Sequence, residues 1–539
     1  MKRLTFILMA LAMMLGFTQC KKDQDTLNEV KTVRISLNVE NSGNSGSRHE
    51  VLSNGKVNYQ NGDVIYVGDG SHYIGTLTCA SGTFSGEINE PTGSNPKLHF
   101  YFIGGVYGGS LEKGATPSFT VDISNQSTAL PVLSYNSVDY TGEESYNCEL
   151  QNQCALVELT LTGDGTTAAV GIGDRYTQAT INFGSTPGIV PNTTTTGMVT
   201  TKSESATKKY AIILPQAAVA GSHIAIGHVG YTLDIPAINA NDYAKLSNSS
   251  AVASNIVYLN YLTTNYEAAN GQTLTGTLGV NKKISIADGA TVTLDGVTIN
   301  GTHDYSYTWA GLTCLGDATI ILKDESVNSV VGFCYSYPGI YIPHGKTLTI
   351  QGETLGTGVL NATGAGYSAG IGAARESVDI YRSCGNIVIA GGVINATAGG
   401  ERAAGIGCGG TTNPSTANPS TCGTINITGG TITATGTKWA PGIGSGFYAT
   451  CGDITIANTV TRVTATKGDR SGYLATTFDC IGKGREGACG TVKFGNQTMY
   501  NGSSWTTTPT SGSTYGGLNL TISQTTYDAD TWTLTPVAP

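Results

Sequence analysis

Apolar and polar residues alternate in short runs along almost the whole chain. Val33, Ile35, Leu37 and Val39 fall at every second position, a period that turns one face of an extended strand toward a core and the other toward water. Similar runs recur at Ile65 to Val67, Leu98 to Phe102, Leu156 to Leu161 and Tyr210 to Leu214, separated by Gly, Asn and Pro turns. No stretch shows the 3.6-residue spacing of an amphipathic helix. The pattern predicts an all-β chain.

From about Leu360 to Gly490 the alternation becomes a repeat. Gly370-Ile371-Gly372, Gly405-Ile406-Gly407 and Gly442-Ile443-Gly444 recur with Ile481-Gly482 behind them, and the isoleucines are 35 (406 − 371), 37 (443 − 406) and 38 (481 − 443) residues apart. After each comes a variable loop, then Cys-Gly, then two short β-branched strands broken by glycine. Cys384-Gly385, Cys422-Gly423, Cys451-Gly452 and Cys489-Gly490 mark those positions. One such copy cannot bury its own apolar face, so copies must stack. Three short strands per copy without hairpin turns predict a right-handed parallel β-helix rather than propeller blades. Searching backward adds Gly311-Leu312 and Gly339-Ile340, which makes six landmarks at 312, 340, 371, 406, 443 and 481.

The expected organisation is a signal peptide over 1–19, a tether over 20–31, two β-sandwich lobes over 32–145 and 146–262, the β-helix over 268–500 and a cap over 501–539. The cap is expected because an open β edge invites association.

Composition narrows the function classes. The net charge of −9 argues against a nucleic-acid partner, since phosphate binding needs a basic face. Met1-Lys2-Arg3 followed by an apolar run to Phe17 reads as an export signal. It ends at Phe17-Thr18-Gln19-Cys20, which resembles the lipobox of bacterial lipoproteins, although Gln19 stands where a small residue is usual. The resemblance implies cleavage before Cys20 and lipidation of its thiol, hence a chain anchored to an outer membrane or cell surface and not spanning it. Lys21-Lys22-Asp23 beyond it is similar to export signals of Bacteroidetes surface lipoproteins. The other cysteines number 11 of the 12 in the chain, and four share one repeat position. In a parallel stack those four are expected to form an internal thiol ladder, roughly 4.8 Å per step. No CxxC spacing is present, and no metal or cofactor is expected.

Asn61-Gly62-Asp63-Val64-Ile65-Tyr66-Val67, then Thr83-Phe84-Ser85-Gly86, then Leu98-His99-Phe100-Tyr101-Phe102 resembles the fimbrillin-like family of Bacteroidetes lipoproteins. Cys154 to Leu161 and Tyr210 to Pro215 fit the same pattern in the second lobe. The resemblance covers about 230 residues and implies a surface protein, either a pilus subunit or a free-standing relative. The repeat region is similar to non-catalytic polysaccharide-binding β-helix proteins that share the pectate-lyase architecture.

Candidate chemistry sits where the copies differ. Trp309, Tyr337, Tyr367, Arg402 and Trp439 lie three or four residues before successive landmarks, with Tyr473 near the last. Aromatic faces in a row along one solenoid edge suit sugar rings, and they equally suit packing on one another. Arg375, Arg382, Arg470 and Arg485 follow in loops and form a candidate cationic strip for acidic polysaccharide. An enzyme is not expected: the acids of the repeat are scattered and form no Asp-Asp doublet, although a polysaccharide-lyase-like site assembled across coils stays open. The leading expectation is a surface lipoprotein that displays its β-helix for carbohydrate binding or adhesion, with glycan as partner. The alternative is a pilus accessory or tip subunit processed at Arg48, which follows a flexible Gly/Ser/Asn run, and joined to other pilus subunits by strand exchange.

Overall fold

The computed structural model describes residues 30–39, 50–51, 57–104, 111–163, 168–302, 304–334, 336–375, 377, 379–411, 418–469, 478–524 and 530–538. The expected signal peptide, Cys20, Arg48, Arg470 and Tyr473 lie outside these residues. Helical structure among the described residues is limited to short 3-10 turns such as Asp379–Arg382, and none is long and apolar enough to cross a membrane. The described residues otherwise form β-strands and the turns between them. The chain separates into two compact units, one of residues 1–161, 172–220 and 235–248, the other of 162–171, 221–234 and 249–539.

The first unit takes in most of both N-terminal segments. Its largest sheet has eight strands, with Lys97–Gly104 between Val64–Gly68 and Val132–Asp139. This central strand is buried on both faces because both alternating sets are apolar. Phe100 and Phe102 point into one core with Ile35, Leu37 and Phe84. Tyr101 and Ile103 point into a second, which they share with Ile181, Phe183 and Ile212. Residues from 73 to 214 thus build one continuous core beneath sandwich-like sheets.

In the second unit the strands between residues 266 and 494 pair in parallel with their counterparts one coil further along. The landmark residues form a single column, in the register Leu312, Ile340, Ile371, Ile406, Ile443, Ile481. Ile284 precedes Leu312 in that column and Tyr266 precedes Ile284. The sheet therefore has eight strands, two more than the six landmarks. The added strands, Tyr266–Ala268 and Ile284–Ile286, lack the Gly-Ile signature. Two further faces repeat the logic with Leu348, Ile387, Ile425, Ile454 and Val492 in one column and Leu360, Ile394, Ile432 and Val463 in the other. All of these are buried, and fully burying each such side chain contributes roughly 1.5–3 kcal/mol.

Glycine at the landmark is a steric requirement. Gly372, Gly407 and Gly444 have φ between 130° and 137°, and a Cβ on each would collide with the carbonyl group of the next glycine in the column. Cysteine fills the next corner: Cys422, Cys451 and Cys489 are paired neighbours, and the Ser383–Thr421 bridge brings Cys384 into phase. Every cysteine among the described residues is buried and unbridged.

Both ends of the stack are covered by antiparallel pairs. At the start, residues 229–232 pair with the strand Val252–Tyr258, which pairs in parallel with Thr273–Thr277. At the finish, Asp530–Pro536 runs antiparallel to Arg462–Thr466, the last strand of its face.

Candidate functional site

The corner before the landmark is built by a repeated backbone contact. The amide of Gly410 donates to the carbonyl of Tyr367 (2.8 Å), that of Phe447 to Arg402 (3.0 Å) and that of Arg485 to Trp439 (2.9 Å). Each donor stands four residues after its landmark and each acceptor four before the preceding one. Two columns of side chains therefore face each other along this edge: Tyr367, Arg402 and Trp439 on one side, Arg375, Gly410, Phe447 and Arg485 on the other. Glycine at 410 leaves the space that the Arg402 Cβ takes up.

The columns interleave guanidinium and ring planes. Arg375 Cζ lies 5.9 Å from the Tyr367 ring centre, and Arg402 Cζ 6.0 Å from the same ring. Arg402 lies 5.0 Å from Trp439 and 5.2 Å from Phe447, and Arg485 4.8 Å and 5.6 Å from those two rings. Lys438 Nζ adds a fourth cation, 4.8 Å from Trp439. All fall within the range in which a ring quadrupole attracts a cation. Trp439 and Phe447, 4.9 Å apart, are buried at 8% and 7% exposure, so at this level the edge is packed tightly and presents arginine to solvent. Arg402 is held also by Glu401, 3.8 Å from its Nε.

Earlier coils carry aromatics without arginine. Trp309 is half-buried against Tyr307 (5.5 Å) and Phe333 (5.7 Å), while Tyr305, earlier in the same loop, is 74% exposed. Tyr337 meets the edge of Tyr381 at 5.1 Å, and Tyr381 packs at a tilt against Tyr341 at 4.6 Å. Of the residues singled out in the sequence, Tyr367, Arg402 and Trp439 come together with Arg375 and Arg485. Trp309 and Tyr337 belong to separate aromatic groups, and Arg382 lies apart from the interleaved stack, on the turn Asp379–Arg382. Phe333, Phe447 and Tyr381 were missed. The signal for Phe447 was its place four residues after the landmark, shared with Arg375 and Arg485.

Acids of the repeat are engaged within the protein: Asp453 accepts from the backbone amide of Thr491 (2.6 Å), Asp479 from the indole of Trp505 (3.2 Å), and Glu401 faces Arg402. Among the described residues no three His, Cys, Asp or Glu side chains gather as a metal site. Burial pushes Cys314 up to about 12, and Cys451 is pushed well up by its hydrogen bond with Cys489 and by burial.

No protein-family model matches the chain, and no curated protein matches its sequence. Among solved structures it is similar to a candidate cell adhesion protein from Bacteroides uniformis, at 18% identity over 41% of this chain and 96% of that one, with a TM-score of 0.28. A candidate cell adhesion protein from Bacteroides thetaiotaomicron follows at 15% identity, 40% and 92% coverage and a TM-score of 0.26. The fimbrial anchor protein Mfa2 from Porphyromonas gingivalis is similar at 9% identity, 36% and 77% coverage and a TM-score of 0.21. Identities and scores this low assign the chain to no family.

Proposed function

We propose that the chain is a lipid-anchored cell-surface adhesin, in which a fimbrillin-like N-terminal part holds out a right-handed parallel β-helix that binds polysaccharide along its aromatic and arginine edge. The observation that carries this reading is the interleaving of Arg375, Tyr367, Arg402, Trp439 and Arg485. Rings fix the guanidinium planes, and planar N–H donors held in place suit sugar hydroxyls and carboxylates. The exposed Tyr305, in the loop that leads to half-buried Trp309, supplies a ring face for stacking at the other end.

The test is a glycan array with the full exported chain. Loss of at least tenfold in signal for the Arg402→Gln/Arg485→Gln and Trp309→Ala variants, with melting temperatures held within a few degrees, supports the edge. Full retention of signal by both variants assigns the edge to packing. A second reading, a pilus accessory subunit, rests on Ser47-Arg48-His49 after the run Asn41 to Gly46. Mapping the mature N-terminus on intact cells decides it, because a chain that always starts at Cys20 rules out processing at Arg48.

A further inference from the structure

A second concave site lies away from the interleaved edge. The turn Asp379–Arg382 arches over the strands Leu312–Cys314 and Ile340–Tyr341 and is pinned there by Tyr341. The phenol of Tyr341 donates to the carbonyls of Ile380 (2.7 Å) and Ser383 (3.0 Å). Between turn and strands runs a groove of about 690 Å³, within the range of small-ligand sites.

Its lining is of one kind. Lys283, His344 and Arg382 line it, and no acidic side chain does among the described residues. Asp288 and Asp317 are engaged instead by Lys346. Among the described residues the Lys283 ammonium, the His344 ring and the Arg382 guanidinium have no hydrogen-bond or ion-pair partner. Leu315 and Ile380, 44% and 70% exposed, give the groove apolar walls. Exposed aliphatic side chains beside uncompensated cations match a ligand with an apolar face and a negative charge. Lys283 stands before the Ile284 strand and Arg382 on the turn above the Leu312 and Ile340 strands, so the two cations enter the groove from different coils and suit a ligand with more than one acidic group.

We infer that this groove is a binding site for a short anionic oligosaccharide, with Lys283 and Arg382 receiving its acidic groups and Leu315 and Ile380 contacting the C–H faces of its rings. The choice of a saccharide among extended anions rests on the glycan-binding reading above. The cationic lining and the shape of the groove stand without it. Carboxylated and sulfated sugars share the required chemistry.

Calorimetry on the full exported chain tests the inference with three probes: trigalacturonate, a heparin-derived tetrasaccharide and neutral maltotriose. The expected result is saturable binding of one or both anionic probes, weakened at least tenfold in Lys283→Gln/Arg382→Gln and retained in Lys493→Gln, an exposed cation outside both sites. Weakening by raised salt is also expected. The groove and control variants alter partly exposed and exposed cations and should fold. Which anionic probe binds tells carboxylate from sulfate. Equal binding of maltotriose, unchanged affinity in the groove variant, or binding of neither anionic probe overturns the inference. If the groove variant binds as wild type while the edge variant loses binding, the groove assignment fails and the edge reading stands. If array and calorimetry both show no glycan bound by the wild type, the wider glycan reading fails.

Discussion

The guanidinium of Arg402 lies 5.0 Å from the centre of the Trp439 ring one coil further on, and both residues hold left-handed backbone angles, φ 64° and 67°. An L-residue in that region costs about 1–2 kcal/mol relative to its usual conformation. Both nonetheless carry large side chains there, because the corner carbonyls they present accept the amides of Phe447 and Arg485 and the side chains then stack between coils.

Arg402→Ala is therefore expected to lower stability by about 1–2 kcal/mol, the loss of contact with three rings from a partly exposed cation. Arg402→Gly removes the same side chain but relaxes the backbone, so it should be the more stable of the two by about 1 kcal/mol. Chemical denaturation of the pair measures the difference. If Gly is no better than Ala, the left-handed angle carries no strain.

The landmark glycines separate steric from conformational effects. Gly407→Ala drives a methyl group into Gly444 of the next coil and is expected to cost more than about 3 kcal/mol, enough to unfold coils of a marginally stable domain. Gly271→Ala is the control: its φ is 80° but nothing lies within 4 Å of the added carbon, so only the backbone term of about 1 kcal/mol applies. Limited proteolysis of both variants against wild type reads this out. Equal resistance of the two would remove the steric argument.

How far such positions could be read in advance depends on what fixes them. Ile371, Ile406 and Ile443 were legible because every coil must bring the same shape to the same column, which prints a period on the sequence. The strands at Tyr266 and Ile284 were not legible as landmarks, since these earlier coils keep the column apolar without glycine beside it. Phe447 and Tyr381 were missed for another reason: they reach the edge from loops after the landmark whose lengths differ between copies. The corner itself was visible at Arg402, yet its insertion between Tyr367 and Trp439 came only with the fold, because neighbours in the stack are 35 (402 − 367) and 37 (439 − 402) residues apart.

The thiol column makes a chemical prediction. Cys422, Cys451 and Cys489 are in register, and burial pushes Cys154 and Cys314 up to about 12, so little thiolate exists at neutral pH to react. An aromatic disulfide reagent should find none of the 11 buried thiols in the native chain and all of them after denaturation without reductant. Fewer than that on denaturation would mean that rungs of the ladder are oxidised.

Glu158 in the first unit predicts a pH dependence. Tyr243 and Tyr210 both donate to its Oε2, at 2.6 and 2.8 Å. The Tyr243 hydrogen bond, joined by that of Tyr210 and opposed by desolvation, holds the carboxyl below its ordinary 4.5. A depressed carboxylate stabilises the fold above the unfolded value, and that contribution disappears as pH falls through the folded value. The melting-temperature gap between wild type and Glu158→Gln should be wide at pH 7 and shrink progressively as pH falls below the ordinary 4.5. A gap that is constant with pH would contradict the assignment.

The strongest single prediction concerns the last strand. Lys467 pairs with Asp530, also donates to the carbonyl of Phe478 (3.3 Å) and is only 4% exposed, with Asp530 at 14%. This pair ties Asp530–Pro536 to the coil whose edge strand, Arg462–Thr466, it covers. Lys467→Met leaves a nearly buried carboxylate without its cation, which costs about 3–5 kcal/mol. The final strand should then detach and expose the Arg462–Thr466 edge, an open template for pairing with other chains. Light scattering should show concentration-dependent association of Lys467→Met that wild type lacks. Lys467→Met/Asp530→Leu removes both charges and should recover most of the stability and the monodisperse state, since an apolar pair of similar volume replaces a buried ion pair without loss. If the double variant associates as strongly as the single one, the edge is held by something other than this pair.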